Sequence, residues 1–304
     1  MKTTRRQSLQ WLGAAATFAG LPISQAEEKS AVIAKAIPSS GEKLPAIGFG
    51  TWQVLDIGPD AATRAPMKEV IREFAALGGT MIDSSPMYGQ SETVAGDLIS
   101  ELGLRKSLFI ATKVWIRGQA AGVKQMEESM AKLKCPVIDL MQVHNLLDVG
   151  PHLETLRAWK KEGRIRYLGI THYHAGSHAE VEKVLAAETV DFLQINYSVG
   201  ERESERKLLP LAQERGVAVI ANRPFAGGNL FARLSQKPLP DFAKEIACES
   251  WAQLLLKFII SHPAVTCAIP ATSKIKHLRD NMTAMRGPLP DEALRQKIAE
   301  AAAV

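Results

Sequence analysis

The stretch D-S-S-P-M-Y-G-Q-S-E, residues 83–92, holds a carboxylate at Asp83 and a phenol at Tyr88, with a proline and a glycine in the same short segment. The short apolar run 79–82 precedes it, and helical spacing of apolar residues begins at Glu92. This order predicts that Asp83 ends a strand and that a turn leads into a helix. Parallel barrel enzymes carry their reactive groups at this end of their strands.

The same strand-then-helix unit recurs along the chain. The predicted strands lie near residues 46–50, 80–83, 108–112, 138–144, 165–171, 191–195, 217–221 and 265–269. Eight such units predict an α/β fold, a (β/α)8 TIM barrel in a single domain. An open doubly wound sheet is the competing fold, and the lack of GxGxxG after the first strand disfavours it. Residues 31–44, which include Gly41, predict a hairpin that closes the bottom of the barrel.

Hydrophobic content and net charge limit the classes of function that the chain can have. The chain has 304 residues, of which 46% are hydrophobic, enough for a large core. Its formal charge is +5, and Lys2, Arg5 and Arg6 carry three of these charges, which leaves +2 for the rest. A nearly neutral body gives no reason to expect nucleic-acid binding.

The first 26 residues have the features of a targeting signal. Arg5 and Arg6 precede an uncharged run, residues 11–23, and Ser24-Gln25-Ala26 has the small-x-small pattern of a cleavage site. The segment resembles a twin-arginine export signal, whose route carries folded proteins across the bacterial inner membrane. An uncleaved anchor or an ordinary secretory signal is the alternative.

This interpretation predicts a cleaved signal peptide over residues 1–26, a barrel domain over residues 27–304, and a periplasmic location. The export machinery would be a partner of the chain. Stable membrane insertion is not expected, because the uncharged run is too short to span a bilayer. We also expect a monomer.

Three cysteines, Cys135, Cys248 and Cys267, have wide and unrelated spacings. They form neither a CxxC pair nor a zinc pattern, so no metal site is predicted. Reduced and mostly buried thiols are the expected state.

Four chemically active side chains fall at or after successive predicted strands. Asp83 and Tyr88 follow the second strand, Lys113 in IATKVW ends the third, and His144 in IDLMQVHN ends the fourth. Any one of them alone is more simply explained as a charged loop residue or as part of an ion pair at the bottom of the barrel. Together they predict an active site in which the Lys113 ammonium, held by Asp83, tunes the phenol of Tyr88 toward proton donation.

Several motifs occur in one order along residues 40–286, namely GFGTW (48–52), the stretch 83–92 quoted above, ATKVW, DLMQVHN, GRIRYLGIT (163–171), FLQINYS (192–198) and IPATSKIKHLRDN (269–281). Together they resemble the aldo-keto reductase superfamily. The resemblance implies that Tyr88 is the general acid, that Lys113 and Asp83 lower its pKa, and that His144 orients a carbonyl. It implies hydride transfer from NAD(P)H to small aldehydes or ketones, or the reverse, without a metal.

The resemblance also implies contacts to the nicotinamide cofactor. Gln194 matches a glutamine that binds the nicotinamide carboxamide, while Asp280 and Asn281 match residues at the adenine end. This chain departs from the family at Thr171 and His172, where serine and asparagine are usual.

A second departure follows the seventh strand, where the sequence reads ANRPFAGG. Asn222 replaces the aromatic residue on which the nicotinamide ordinarily stacks. Either the nicotinamide packs on another residue, or Asn222 and Arg223 hold the cofactor by polar contacts. Arg223 is a candidate for the pyrophosphate, or else a surface residue in a loop, and Gly227 would allow a close backbone approach.

The choice between NADPH and NADH depends on which side chains contact the 2′-phosphate of NADPH. Thr272, Ser273 and Lys274 are candidate phosphate donors, although Ala271 and His277 replace a usual lysine and arginine. We expect NADPH, with NADH left open.

Trp52 and Trp115 would give the substrate pocket an apolar wall above His144, or else pack at the rim. A second function stays open, that of a cofactor-binding, redox-sensing accessory protein with slow turnover. The altered contacts at Thr171, His172 and Asn222 favour it, whereas the four intact residues favour catalysis.

Overall fold

The computed structural model describes residues 32–303, so the predicted export signal lies outside the described residues. Its strands are β1 Ala34–Ala36, β2 Lys43–Pro45, β3 Phe49–Gly50, β4 Met81–Asp83, β5 Phe109–Val114, β6 Ile138–His144, β7 Ile165–Thr171, β8 Phe192–Asn196, β9 Ala218–Asn222 and β10 Val265–Ala268.

Helices follow the strands in turn. They are α1 Ala61–Ala76, α2 Ser91–Glu101, α3 Gln119–Lys132, α4 Val149–Lys161, α5 His178–Ala187, α6 Leu208–Glu214, α7 Asn229–Leu234, α8 Trp251–Ser261, α9 Ile275–Thr283 and α10 Glu292–Ala302. Short 3₁₀ turns lie at Arg105–Ser107, Ala175–Ser177, Glu203–Arg206, Ala226–Gly228 and Asp241–Ile246.

Strands β3 to β10 pair in sequence order, and every pair is parallel. The amide of Gly48 donates to the carbonyl of Ala268 at 2.8 Å, and the amide of Ala268 donates to the carbonyl of Ala46 at 2.9 Å. These bonds join the first barrel strand to the last. The predicted (β/α)8 barrel in a single domain is therefore confirmed. The first barrel strand, β3, is shorter than the predicted range 46–50, because its hydrogen-bonded ladder covers only Phe49–Gly50.

The interior of the barrel is a packed core of its own. Side chains from the barrel strands fill it, including Phe109, Tyr167 and Phe192, whose rings contact one another. Ile37 and Leu44 of the β1–β2 hairpin are buried in the same cluster. The predicted hairpin thus closes the bottom of the barrel, which leaves the carboxyl ends of the strands as the open mouth.

A second apolar layer joins the outside of the barrel to the helices, as in α1, where Met67, Val70, Ile71 and Phe74 are buried. Residues with capping side chains fix where helices begin. Asp60 accepts from the amide of Thr63 at 2.9 Å, and Ser250 accepts from the amide of Gln253 at 3.1 Å. Among residues 32–303, none of the helices combines the length and apolar character needed to cross a membrane. All three cysteines are buried and unpaired, as predicted.

Candidate active site

The structure brings the four predicted catalytic side chains to the mouth of the barrel. Asp83 ends β4, Lys113 lies near the end of β5, and His144 ends β6. These strands are neighbours in the barrel. Tyr88 lies in the loop between β4 and α2, where its amide donates to the carbonyl of Ser85 at 3.0 Å. Residues far apart in sequence therefore face one site.

A side chain from the β3 loop holds the Tyr88 loop in place. The Asp56 carboxylate accepts from the amide of Gln90 at 2.9 Å. Gly89 has φ +56°, a conformation that residues with a Cβ rarely adopt, and a Cβ there would lie 2.2 Å from Asp56 Oδ1. A larger residue beside Tyr88 would therefore strain the turn and displace the Asp56 side chain that holds it.

Lys113 and Asp83 form a buried ion pair. Lys113 Nζ donates to Asp83 Oδ2 and to the Ser84 carbonyl, each at 2.6 Å. Burial alone would lower the pKa of Lys113, but the Asp83 carboxylate holds that pKa above its ordinary value, with smaller help from Tyr88 and Glu92. A permanent positive charge therefore sits at the base of the site.

The Lys113 ammonium lies 5.3 Å from the centre of the Tyr88 ring. Burial raises the pKa of Tyr88 above that of an ordinary phenol, and Lys113 acts in the opposite direction without reversing the shift. Lys113 thus lowers the pKa of Tyr88 as expected, whereas the direct effect of the Asp83 carboxylate is to raise it, and desolvation outweighs the ammonium. At neutral pH the phenol keeps its proton and can donate it.

His144 faces Tyr88 across the site, with ring centres 6.0 Å apart in an edge-to-face arrangement. Burial lowers the pKa of His144 from 6.5 to about 2, and the Lys113 ammonium and the neighbouring His172 lower it further. The imidazole is therefore neutral. Its Nδ1 lies 3.0 Å from the hydroxyl oxygen of Ser85, a contact that the sequence did not reveal.

Asp83 links the four residues to the candidate cofactor contacts. Its Oδ1 accepts from Gln194 Nε2 at 2.9 Å and from Gln142 Nε2 at 3.3 Å. Thr171 Oγ1 in turn donates to Gln194 Oε1 at 3.1 Å. The structure thus joins Thr171 and Gln194 to the catalytic group. Gln142 was missed from the sequence, although its position two residues before His144 puts it on the same inward face of β6.

His172 and Asn222 meet at the edge of this network. Asn222 Nδ2 donates to the carbonyl of His172 at 3.0 Å, while Asn222 Oδ1 is buried and has no hydrogen-bond partner within residues 32–303. A buried acceptor without a donor is costly unless a ligand supplies one. The amide of a nicotinamide carboxamide is a donor of the kind that this oxygen needs.

Arg223 and Gly227 lie in the loop after β9. Arg223 Nη2 contacts Glu201 Oε1 at 3.4 Å, and the Arg223 side chain is 30% exposed. Gly227 has φ +68°, and a Cβ there would lie 3.3 Å from the Arg223 guanidinium. The guanidinium therefore lies across a glycine turn, partly open to solvent, where a phosphate could pair with it.

The candidate phosphate donors lie at the start of α9. Thr272 Oγ1 accepts from the amide of Lys274 at 3.1 Å, and Ser273 and Lys274 are exposed. A helix amino terminus favours an anion, and two exposed donors strengthen that preference. Farther along α9, Asn281 is buried and the Asp280 carboxylate accepts from Ser250 at 2.9 Å. Asp280 therefore also holds Ser250, the residue that caps the start of α8.

These donors and acceptors fit a dinucleotide cofactor. The unpaired oxygen of Asn222 suits the nicotinamide end, and Arg223 and Gly227 suit the pyrophosphate. The helix start at Ser273 and Lys274 suits a terminal phosphate. Within the part of the chain that the structure describes, no group of three or more His, Cys, Asp or Glu side chains could hold a metal ion.

Apolar side chains form the rim of the mouth. The large hydrophobic residues that are exposed within residues 32–303 all lie in segments that follow barrel strands, namely Trp52, Met87, Trp115, Ile116, Tyr173 and Phe231. The Trp115 ring centre is 6.2 Å from that of His144, whereas Trp52 is 50% exposed on the β3 loop. Only the two tryptophans were singled out from the sequence.

Two side chains from the helices hold one wall of this rim. Gln125 of α3 accepts from the amide of Trp115 at 2.6 Å and donates to its carbonyl at 3.3 Å. His152 Nε2 of α4 lies 2.7 Å from the carbonyl of Ile116. The wall next to His144 is therefore fixed before any substrate arrives.

Comparison with known proteins agrees with this geometry. The model of the Aldo/keto reductase family matches residues 46–300. Methylglyoxal reductase YeaE of Escherichia coli (strain K12) is 32% identical over 256 residues, which cover 81% of this chain and 88% of that protein. Aldo-keto reductase str7 of Strobilurus tenacellus is 28% identical over 300 residues, 84% of this chain and 88% of its own length.

Solved structures show the same fold. Aldo-keto reductase AKR11C1 from Bacillus halodurans superposes with a TM-score of 0.73 at 25% identity, covering 90% of this chain and 98% of that one. An aldo-keto reductase from Klebsiella pneumoniae, solved in complex with NADPH, has a TM-score of 0.73 at 29% identity, covering 87% and 94% of the two chains. The chain therefore belongs to the aldo/keto reductase family.

Proposed function

We propose that this protein reduces the carbonyl group of small apolar aldehydes and ketones to alcohols with NADPH, and that Tyr88 supplies the proton. The observation that carries the proposal is the buried Lys113 ammonium, held between Asp83 at 2.6 Å and the Tyr88 ring at 5.3 Å. A buried ion pair alone is weak evidence for a stabilising role. Its position beside a protonated phenol at a barrel mouth suits catalysis.

When bound, the nicotinamide cofactor would supply a hydride from its C4 to the carbonyl carbon of the substrate. Tyr88 Oη–H and a ring N–H of His144 donate hydrogen bonds to the carbonyl oxygen, which orients the substrate and polarises it. As negative charge grows on that oxygen, the proton of Tyr88 moves to it. The Lys113 ammonium then stabilises the phenolate, and Asp83 keeps the ammonium in place.

Different residues of this chain would bind different parts of the cofactor. Gln194, Thr171 and Asn222 would bind the nicotinamide end, and Arg223 would pair with the pyrophosphate. Ser273 and Lys274 would bind the 2′-phosphate at the start of α9. The NADPH complex of the Klebsiella pneumoniae relative supports the preference for this cofactor.

The rim indicates the substrate class. Trp115 and the other exposed apolar side chains provide contacts for an aliphatic or aromatic group. The name of the Escherichia coli relative, methylglyoxal reductase, supports small oxoaldehydes as substrates. The reverse reaction, alcohol oxidation, would use the same residues with Tyr88 as the base.

Steady-state consumption of NADPH tests this function. The purified protein is supplied with methylglyoxal, butanal and benzaldehyde, with glyoxylate as the charged comparison. We expect turnover of the uncharged aldehydes and a much lower kcat/KM for glyoxylate. If NADPH binds tightly but none of these substrates is consumed, the accessory role with slow turnover replaces catalysis. The unusual contacts at His172 and Asn222 are what favour that second function.

The chain's amino terminus supports a proposal about location. Arg5-Arg6, the uncharged run 11–23 and Ala26 fit a twin-arginine signal, so the barrel would fold around its cofactor in the cytoplasm and then reach the periplasm. Replacing Arg5 and Arg6 with lysines should leave active, uncleaved protein in the cytoplasm, whereas the parent should appear in the periplasm, shortened near Ala26. Equal export of both forms would rule out the twin-arginine route.

A monomeric state is proposed for the exported barrel. Sedimentation of the processed protein should give the mass of one chain, and a mass of two chains would contradict it.

A further inference from the structure

Ser85 stands where it can set the protonation state of His144. Its side chain is fully buried in the loop between β4 and Tyr88, and its Oγ lies 3.0 Å from Nδ1 of His144. These residues are 59 positions apart in sequence, so the contact exists only because β4 and β6 both end at the same mouth. A role for Ser85 in catalysis rests on the proposed function, in which His144 donates a hydrogen bond to the substrate carbonyl.

A neutral imidazole has one donor nitrogen and one acceptor nitrogen. His144 is neutral here, because burial and the neighbouring Lys113 and His172 oppose a second proton. Two arrangements of the contact with Ser85 are possible. Either the serine hydroxyl donates to Nδ1 and Nε2 carries the ring proton, or Nδ1 donates to the serine and Nε2 is an acceptor. A carbonyl oxygen is itself an acceptor, so only the first arrangement allows Nε2 to bind a substrate carbonyl.

The surroundings of Ser85 favour the first arrangement. The amide of Met87 points its hydrogen at Ser85 Oγ from 3.4 Å, which directs a lone pair of the hydroxyl toward that amide and leaves its proton for His144. Within residues 32–303, Nε2 of His144 makes no hydrogen bond, and it is not sealed from solvent. The rings of Tyr88 and Trp115 lie 6.0 and 6.2 Å from the imidazole. Nε2 is therefore the nitrogen left for the substrate.

We infer that Ser85 is a positioning residue, which donates its hydroxyl proton to Nδ1 of His144 and thereby holds the imidazole in the Nε2–H form that binds the substrate carbonyl.

Nitrogen NMR of the ring reads the tautomer directly. Protein labelled with ¹⁵N at its seven histidines gives a distinct shift for protonated and unprotonated ring nitrogens, and the His144→Gln variant identifies the signals that belong to His144. In the parent we expect the proton on Nε2. A proton on Nδ1 in the parent would overturn the inference outright.

The Ser85→Ala variant tests whether the serine is the cause. We expect a mixture of the two tautomers at His144 and a fall in kcat/KM of roughly three- to tenfold, the range for one lost neutral hydrogen bond, with the Kd for NADPH unchanged. Ser91→Ala is the matched control, since Ser91 is also a fully buried serine of this region but bonds the Thr51 carbonyl at 3.4 Å. It should leave the tautomer as in the parent.

An unchanged Nε2–H signal in a folded Ser85→Ala variant would contradict the inference whatever happens to the activity. The NMR readout needs no turnover, so it separates two failures. If the parent reduces none of the aldehydes, the proposed function fails, while the tautomer still shows whether Ser85 sets the proton of His144.

Discussion

The ammonium of Lys113 lies 2.6 Å from the carboxylate of Asp83, and both side chains are almost completely removed from water. Neither charge would be tolerated there alone, because a buried ion without a partner loses several kcal/mol of hydration. The pair therefore provides a fixed positive charge under Tyr88 that needs no rearrangement when charge develops above it.

Lys113→Met should break this arrangement in two measurable ways. The Asp83 carboxylate would remain buried without its cation, which costs about 3–5 kcal/mol in the free energy of unfolding, measured by urea denaturation. NADPH-dependent reduction should fall by at least 100-fold. Lys68→Met is the control, because Lys68 pairs with Glu101 on the surface and its loss should cost no more than about 1 kcal/mol. Equal losses for the two variants would contradict the special place of the buried pair.

The pH dependence of reduction should follow Tyr88 and not His144. Tyr88 is active when protonated, and its pKa lies above the ordinary value of 10.0, so activity should be lost only as the pH rises through a pKa above that value. His144 has a pKa of about 2 and should not titrate in the working range. A profile of kcat/KM from about pH 5 to 11 checks both. An inflection near pH 6.5 that disappears in His144→Gln would show that the imidazole is not held neutral.

Lys274→Ala should weaken NADPH selectively. The loss of one cation at the 2′-phosphate should raise the Kd for NADPH roughly tenfold or more and leave the Kd for NADH unchanged. Fluorescence titration with each cofactor measures this. Lys244→Ala, at a lysine whose side chain is 83% exposed on a 3₁₀ turn, is the control. A parallel loss for both cofactors would remove Lys274 from the phosphate site.

Gln125→Leu should loosen the wall of the substrate pocket. Gln125 holds both backbone polar groups of Trp115, whose ring neighbours His144. Without it we expect the KM for benzaldehyde to rise severalfold with little change in kcat, since the proton donor is untouched. A variant with parent KM and kcat would show that the loop keeps its position by other contacts.

Sequence reasoning was strongest where local patterns repeat. The eight strands follow from short apolar runs before turn residues, and Asp83, Lys113 and His144 could be placed at one mouth because parallel strands end at one side of a barrel. The hairpin under the barrel was predicted from Gly41 within residues 31–44.

Contacts between distant residues were not predictable in this way. Ser85 and His144, or Gln142 and Asp83, are 59 positions apart, and nothing in a single sequence sets their distance. The lowering of the Tyr88 pKa by Lys113 could be predicted, but its net rise could not, because the sequence shows which charges are near and not how deeply the phenol is buried. The cofactor contacts and the export signal stay predictions.

Tyr88→Phe is the most direct test of the proposal that Tyr88 gives its proton to the substrate oxygen. The substitution removes only the hydroxyl, so NADPH should bind with the parent Kd while kcat/KM for methylglyoxal falls by at least 100-fold. Both quantities are measured on one preparation, by fluorescence titration and by NADPH consumption. A Tyr88→Phe protein that binds NADPH normally and keeps more than roughly a tenth of the parent kcat/KM would contradict the assignment of Tyr88 as the acid.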